Sequence, residues 1–298
     1  MQSVKGSIAA LLCAISSVQF GAALAKSLFP AVGAMGATLF RLSLATLLLC
    51  AIVRPWKEKL DPKARKPLLI YGASLGLMNM TFYLALERIP LGLGVALEFT
   101  GPLTLALATS RKRADFLWAA LAIAGIGLIL PSPQSVESID PVGILFALLA
   151  GCFWVSYILS GQKLGTFLTA GRATSLGMLV GTLVAIPIYF LSPSTHFEAM
   201  LNPKILPLAF GVALFSSALP FSMEMIAMQG LPTRTFSILL SLEPAFAALS
   251  GFLLIHEHLS WTQGFAILCI MAASFGSAIS AQEAVRTSKD LSPAETVL

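Results

Sequence analysis

The sequence predicts an all-α integral membrane protein with ten transmembrane helices, arranged as two inverted five-helix repeats. Three observations predict it: too few charges to face water, a series of long apolar runs, and a second half that repeats landmarks of the first. Hydrophobic residues make up 57% of the chain and charged residues 11%, with a mean hydropathy of +0.86. A soluble domain carries roughly 25% charged residues. In a bilayer every backbone polar group must be satisfied internally, which leaves helical bundles or closed barrels. The runs are continuous rather than alternating at every second residue, so helices are expected.

At about 20 apolar residues per span, the spans fall at roughly 6–26, 34–53, 68–87, 91–110, 115–131, 141–160, 170–191, 205–227, 233–255 and 261–280. Lys5, the apolar run after it and Ala23-Leu24-Ala25 imitate a cleavable signal peptide. Removing that stretch would leave an odd number of spans and break the repeat, so it is read as the first span. The remainder past Ala281 is polar, without a hydrophobic face, and is expected to fray.

Lys and Arg placement sets the orientation. With the N-terminus inside, fifteen fall on inner segments: Lys5, Arg54, Lys57, Lys59, Lys63, Arg65, Lys66, Arg111, Lys112, Arg113, Lys163, Arg172, Arg234, Arg286 and Lys289. Three fall on outer loops, Lys26, Arg88 and Lys204, while Arg41 lies within a span. That bias follows the positive-inside rule and puts both termini in the cytoplasm. It also gives the net charge of +5 a topological cause and removes nucleic acid as a partner. Cys13, Cys50, Cys152 and Cys269 all sit in apolar runs without metal-ligand spacing, so neither a disulfide nor a metal is expected.

The repeat emerges from alignment of the halves. Leu86-Glu87-Arg88-Ile89-Pro90 through Thr100-Gly101-Pro102-Leu103 pairs with Met228-Gln229-Gly230-Leu231-Pro232 through Leu242-Glu243-Pro244-Ala245. Pro90 meets Pro232 and Pro102 meets Pro244 at one constant offset, which also sets Asp115 opposite Glu257. Gly6–Lys26 aligns with Gly143–Lys163 at a slightly different offset. The units are 1–133 and 139–281, followed by a polar cytoplasmic tail, 282–298. Five spans per unit force the second to enter the membrane upside down, a plan common in secondary transporters.

An ionisable side chain at mid-bilayer costs about 2.5–3.5 kcal/mol, so those retained there are functional candidates. Arg41 and Glu98 lie at matching depths from the outer side. They either line an outer cavity, touching the charged ends of an amino acid, or form a buried salt bridge that fixes packing. Gly94 and Gly101 flank Glu98 on its own helical face, where small residues let helices approach. Pro102 frees a carbonyl one turn before it. In the third span Gly72, Gly76, Asn79 and Tyr83 share a face, so Asn79 and Tyr83 are candidates either for holding a polar substrate or for bonding a neighbouring helix. Glu243 lies near mid-depth before Pro244. A carboxyl in a partly dry cavity can take up and release a proton near neutral pH, which makes Glu98 and Glu243 the proton-coupling candidates. Glu224 and Arg234 flank the inner end of the eighth span and read as an inner gate or a plain ion pair. The first and sixth spans are repeat partners, pairing Gln19 with Ser156 and Phe20 with Tyr157, with Trp154 a turn away. These groups can orient a small zwitterion at the repeat interface or serve packing alone. His256 and His258 flank Glu257 at the outer surface and are too few for a metal site. No phosphate loop, nucleophile elbow or zinc-protease helix is present, which argues against an enzyme and leaves an ion gradient as the energy source.

Two stretches carry a resemblance to a known family: Ser241-Leu242-Glu243-Pro244-Ala245 and His256-Glu257-His258-Leu259-Ser260. The chain resembles the drug/metabolite transporter superfamily, in its ten-span EamA branch. Within the branch, four further runs are similar to bacterial inner-membrane exporters of threonine and homoserine. They are Ala25-Lys26-Ser27-Leu28-Phe29-Pro30, Val95-Ala96-Leu97-Glu98-Phe99-Thr100-Gly101-Pro102-Leu103, Tyr157-Ile158-Leu159-Ser160-Gly161-Gln162 and Leu231-Pro232-Thr233-Arg234-Thr235-Phe236. The resemblance implies export of small amino acids from the cytoplasm by proton antiport; no cofactor is expected, and the sequence leaves monomer and homodimer both open. Other solutes of the superfamily, such as aromatic amino acids, purines or cationic drugs, are the alternative, and a membrane enzyme or sensor is the rival class.

Overall fold

The computed structural model describes residues 4–109, 114–129, 140–191, 197–200, 202–231, 236, 239–240, 242–257 and 259–290. Among them the regular structure is entirely helical. Helix α1 spans Val4–Lys26, α2 Phe29–Val53, α3 Pro62–Leu86, α4 Leu91–Glu98, α5 Thr100–Thr109, α6 Ala114–Ile129, α7 Pro141–Gly165 and α8 Ala170–Leu191. A single turn, α9, covers Phe197–Met200. Then come α10 at Leu206–Ala213, a π-helical turn at Leu214–Ala218, α11 at Leu219–Gly230, α12 at Glu243–Ile255 and α13 at Trp261–Asp290. Among the described residues six apolar helical stretches are long enough to cross a bilayer, the last running from Leu206 to Gly230. Three shorter apolar helices, Leu91–Leu105, Glu243–Ile255 and Trp261–Ala273, accompany them.

The helix ends follow local chemistry. Asp61 and Asp140 each cap a helix that opens on proline, accepting from the backbone N–H of Lys63 and Val142 at 2.8 Å. Arg54 closes α2 in a left-handed conformation, its N–H returning to the Cys50 carbonyl just before Pro55. Gly33, at φ 69, interrupts the start of α2, so the regular part begins at the 34 expected from the sequence. Two expectations are corrected. The fourth span is broken at Phe99, one turn before the point where Pro102 removes an i→i−4 bond. The last helix does not end near Ala281 but runs to Asp290 through Ala, Gln, Glu and Arg, all good helix formers.

Helix α3 is the most enclosed of the long spans and packs between α7 and α8. At Gly76 a Cβ would lie 2.6 Å from the Gly181 carbonyl, so α3 and α8 meet backbone to backbone. Thr46 and Thr182 join α2 to α8 through their hydroxyls at 2.9 Å. The packing is reciprocal. α3 lies on α7 as α1 lies on the Leu206–Gly230 span, and α4 lies on α7 as α1 lies on α12. α2–α8, α4–α12 and α6–α13 complete the set. Large apolar side chains, among them Leu47, Leu145, Leu183, Phe252 and Leu268, point outward. Such a surface is stable only against hydrocarbon: this is a multi-pass membrane protein.

Each end of the bundle is tied by ions. At one end Arg172, opening α8, donates to Glu58 Oε2 at 2.6 Å and to the Glu58 carbonyl at 2.8 Å. At the other, Lys26 Nζ meets Glu257 Oε1 at 2.5 Å, while Glu257 Oε2 accepts from the Leu91 N–H at 2.8 Å. One carboxylate thereby clamps the end of α1, the start of α4 and the turn after α12. Arg88 reaches Asp140 at 3.5 Å on the same side.

Candidate functional site

A partly open cavity with an empty volume of about 630 Å³ lies among α1, α2, α3, α4, α7, α11 and α12. Its apolar wall comes from Leu11, Ile15, Val18, Met78, Phe82 and Phe221. Its polar lining is Gln19, Arg41, Asn79, Tyr83, Glu98, Trp154, Glu224 and Glu243. Helix periodicity explains the selection. On α1, Leu11, Ala14, Ile15, Val18, Gln19 and Ala22 recur at three- and four-residue spacing and form a single stripe.

The charges are unbalanced. Three carboxyl groups, Glu98, Glu224 and Glu243, border the same space as one guanidinium, Arg41. The sequence allowed an Arg41–Glu98 salt bridge, and the structure does not form it. Arg41 Nη1 instead donates to the Ser216 carbonyl at 2.6 Å, Ser216 Oγ at 3.0 Å and Ser217 Oγ at 3.1 Å. Its Cζ lies 4.4 Å from the centre of the Tyr83 ring, a cation–π contact. The reason is in the π-helical turn. Pro220 has no N–H to offer the Ser216 carbonyl, and the widened turn leaves that oxygen free for a side-chain donor.

Three buried polar atoms of cavity-lining residues have no partner among the described residues: Gln19 Oε1, Arg41 Nε and Tyr83 Oη. Unsatisfied buried groups cost about 1–3 kcal/mol each, and all three of these belong to residues that line the same cavity. Asn79 gives its Nδ2 to the Leu75 carbonyl at 2.7 Å. Trp154 packs edge-on against Phe99, with centroids 5.4 Å apart.

The structure gathers most of the residues singled out by the sequence and separates three from the lining. Ser156 does not border the cavity; it accepts from Ser74 Oγ at 2.8 Å across the α3–α7 contact. Tyr157 lies beneath the cavity, stacked on Tyr71 at 4.8 Å, its hydroxyl donating to Glu224 Oε2 at 3.4 Å. Glu224 therefore belongs to the lining and to this aromatic group. Arg234, its expected gate partner, lies outside the described residues. Phe20 is turned outward and meets Phe215 edge-on at 5.6 Å.

Glu98 is held by backbone approach. Pro102 deprives the Glu98 carbonyl of its usual donor, and Gly151 of α7 packs so closely that a Cβ there would lie 2.5 Å from that oxygen. Ser216, Ser217 and Phe221 were not anticipated. The signal available was Pro220, placed four residues after Ser216 in an otherwise apolar run.

Residues 141–279 match the EamA-like transporter family. The chain is 48% identical over 277 residues to the "Threonine/homoserine exporter RhtA" of Escherichia coli strain K12, covering 93% of this chain and 92% of that protein. It is 48% identical over 273 residues to the protein of the same name from Salmonella typhimurium strain SL1344, covering 91% of each. A protein solved by crystallography superposes with a TM-score of 0.64 at 17% identity, covering 93% of this chain and 98% of the other, which is a likeness of fold.

Proposed function

Because this chain belongs to the EamA-like transporter family, we propose that it exports small amino acids, threonine and homoserine foremost, in exchange for protons. The cavity carries the reading. It sets an arginine with an unengaged edge and three carboxyl groups around one space between two reciprocal sets of helices. An amino acid brings the complementary pair of charges. Its carboxylate suits the Nε side of Arg41, where a guanidinium forks two parallel hydrogen bonds. Its ammonium suits the carboxyl groups opposite. Glu98 and Glu243 carry the exchanged protons, so that substrate ammonium and proton compete for the same acidic lining. Gln19, Asn79, Tyr83 and Trp154 contact the rest of the substrate, and Tyr157 and Ser156 hold the wall behind it.

The helices form ten spans in two inverted units with both termini in the cytoplasm. The reciprocal packing of α1 and α3 on the opposite units supports the inversion, and the Lys and Arg distribution supports the orientation. Transport proceeds by alternating access, with the Lys26–Glu257 end facing outward and the Tyr71–Tyr157–Glu224 group closing the inward side. The 48% identity to proteins named threonine/homoserine exporters supports the substrate.

The surplus of carboxyl groups favours a second reading, export of an organic cation. Counterflow in proteoliposomes separates the two: radiolabelled threonine is expected to exchange against internal threonine and homoserine, with outward substrate movement accompanied by inward proton movement. Exchange of an organic cation with no threonine signal would replace the first reading by the second. Net threonine efflux, driven by an outward threonine gradient, that leaves internal pH untouched would remove the antiport.

A further inference from the structure

We infer that Ser216 and Ser217 are positioning residues that seat Arg41, so that the π-helical turn of the eighth span sets which edge of the guanidinium meets the substrate. This rests on the reading that Arg41 binds the substrate carboxylate.

The seat has four parts. Pro220 withholds the N–H that would occupy the Ser216 carbonyl, and the turn Leu214–Ala218 widens to the π form there. Ser216 Oγ donates to the Val212 carbonyl at 2.6 Å, which fixes its lone pairs toward Arg41. Nη1 then finds three acceptors within 3.1 Å for its two hydrogens. Finally, α1 presses on the turn from the other side. Ser17 Oγ donates to the Phe215 carbonyl at 2.7 Å, and at Gly21 a Cβ would lie 2.5 Å from the Ser216 nitrogen.

The consequence is a division of labour within one side chain. All the hydrogen bonds that Arg41 makes with described residues leave from Nη1. Nε has no partner and belongs to the edge that Arg uses for bidentate grip of a carboxylate. Tyr83 covers the guanidinium face at 4.4 Å and keeps it from tilting. A seat of this kind selects a planar carboxylate at one angle. It also transmits any movement of the eighth span directly to the substrate, because the anchoring oxygen is backbone.

The test compares wild type, the double variant Ser216→Ala with Ser217→Ala, and Ser217→Thr, which retains a hydroxyl. Radiolabelled threonine counterflow is competed with threonine or with threoninol, its amino alcohol without a carboxylate. In the double variant KM for threonine is expected to rise about tenfold with the maximal rate retained, while inhibition by threoninol stays as in wild type. Ser217→Thr is expected to keep the wild-type affinity. Modification of Arg41 by phenylglyoxal, followed by mass spectrometry, is expected to accelerate in the double variant, because Nη1 has lost its hydroxyl acceptors. Equal weakening of threonine and threoninol, or an unchanged KM, would overturn the positioning role. A wild type that does not distinguish threonine from threoninol would sink the carboxylate reading alone. In that case Arg41 modification decides the seat, and an unchanged rate overturns it.

Discussion

The Lys26–Glu257 contact makes a quantitative prediction about which side of the bundle opens. Glu257 receives two hydrogen bonds, from Lys26 Nζ at 2.5 Å and from the Leu91 N–H at 2.8 Å. Through them it fastens α1, α4 and α12, all of which contribute to the cavity lining. A hydrogen bond to a charged group stabilises by about 1.5–3 kcal/mol, whereas a fully exposed ion pair gives about 0.2–1 kcal/mol. The two side chains are 20% and 18% exposed, which places the clasp between these limits. Glu257→Ala removes both bonds, and a net loss of about 2 kcal/mol corresponds to a shift of about 30-fold in an equilibrium constant. That shift should favour the state in which this end is open. The assay is labelling of Ala22→Cys, a buried position on the cavity stripe, by a membrane-impermeant maleimide. Cys13, Cys50, Cys152 and Cys269 are first replaced. The initial labelling rate should rise by about 30-fold in Glu257→Ala, the same factor as the equilibrium shift. Glu257→Gln, which can still accept from Leu91, should give a smaller rise. Exchanging the two charges by Lys26→Glu and Glu257→Lys should recover only part of the closure, because lysine cannot accept from the Leu91 N–H. An unchanged labelling rate in Glu257→Ala would show that the contact does not hold this end closed.

Glu98→Gln and Glu243→Gln should each flatten the pH dependence of threonine flux while leaving membrane insertion intact, since each removes a titrating group from the cavity lining; normal pH profiles in both variants would disprove the coupling assignment. Arg41→Lys keeps the charge but loses both the fork and the Nη1 seat, so KM for threonine should rise about 10–150-fold, equivalent to a lost charge-assisted bond of about 1.5–3 kcal/mol. An affinity close to wild type in the lysine variant would mean that charge alone suffices. Gly151→Ala puts a methyl 2.5 Å from the Glu98 carbonyl, where the nearest atoms are backbone and cannot turn aside. Overpacking of this kind costs about 1–3 kcal/mol, and a thermal unfolding scan in detergent should show a lower midpoint. No change in midpoint would mean that the end of α4 and α7 are not held at the separation described.

The spans were legible because the cost of charge in hydrocarbon writes itself into composition. The bounds of α8 coincide with the expected 170–191 and α7 starts at the expected 141, whereas α3 starts at Pro62, ahead of the expected 68. The membership of the cavity was legible for the same reason. Arg41, Glu98, Glu224 and Glu243 could be tolerated only away from lipid, and all four border one space. The polar stretch after Ala281 was read as a fraying tail, because hydrophobic periodicity carries no information about where a helix ends in a polar stretch.

Pairing was decided by the tertiary structure. Charge and depth admit an Arg41–Glu98 bridge as readily as any other partner, since the sequence gives distances along a helix and not the rotation of one helix against another. That rotation sends Ser156 to Ser74, Tyr157 to Tyr71 and Glu224, and Arg41 to Ser216 and Ser217. The physical cause is the backbone. A missing proline N–H leaves a carbonyl that must be answered inside a medium without water, and only the folded bundle determines which side chain is near enough to answer it.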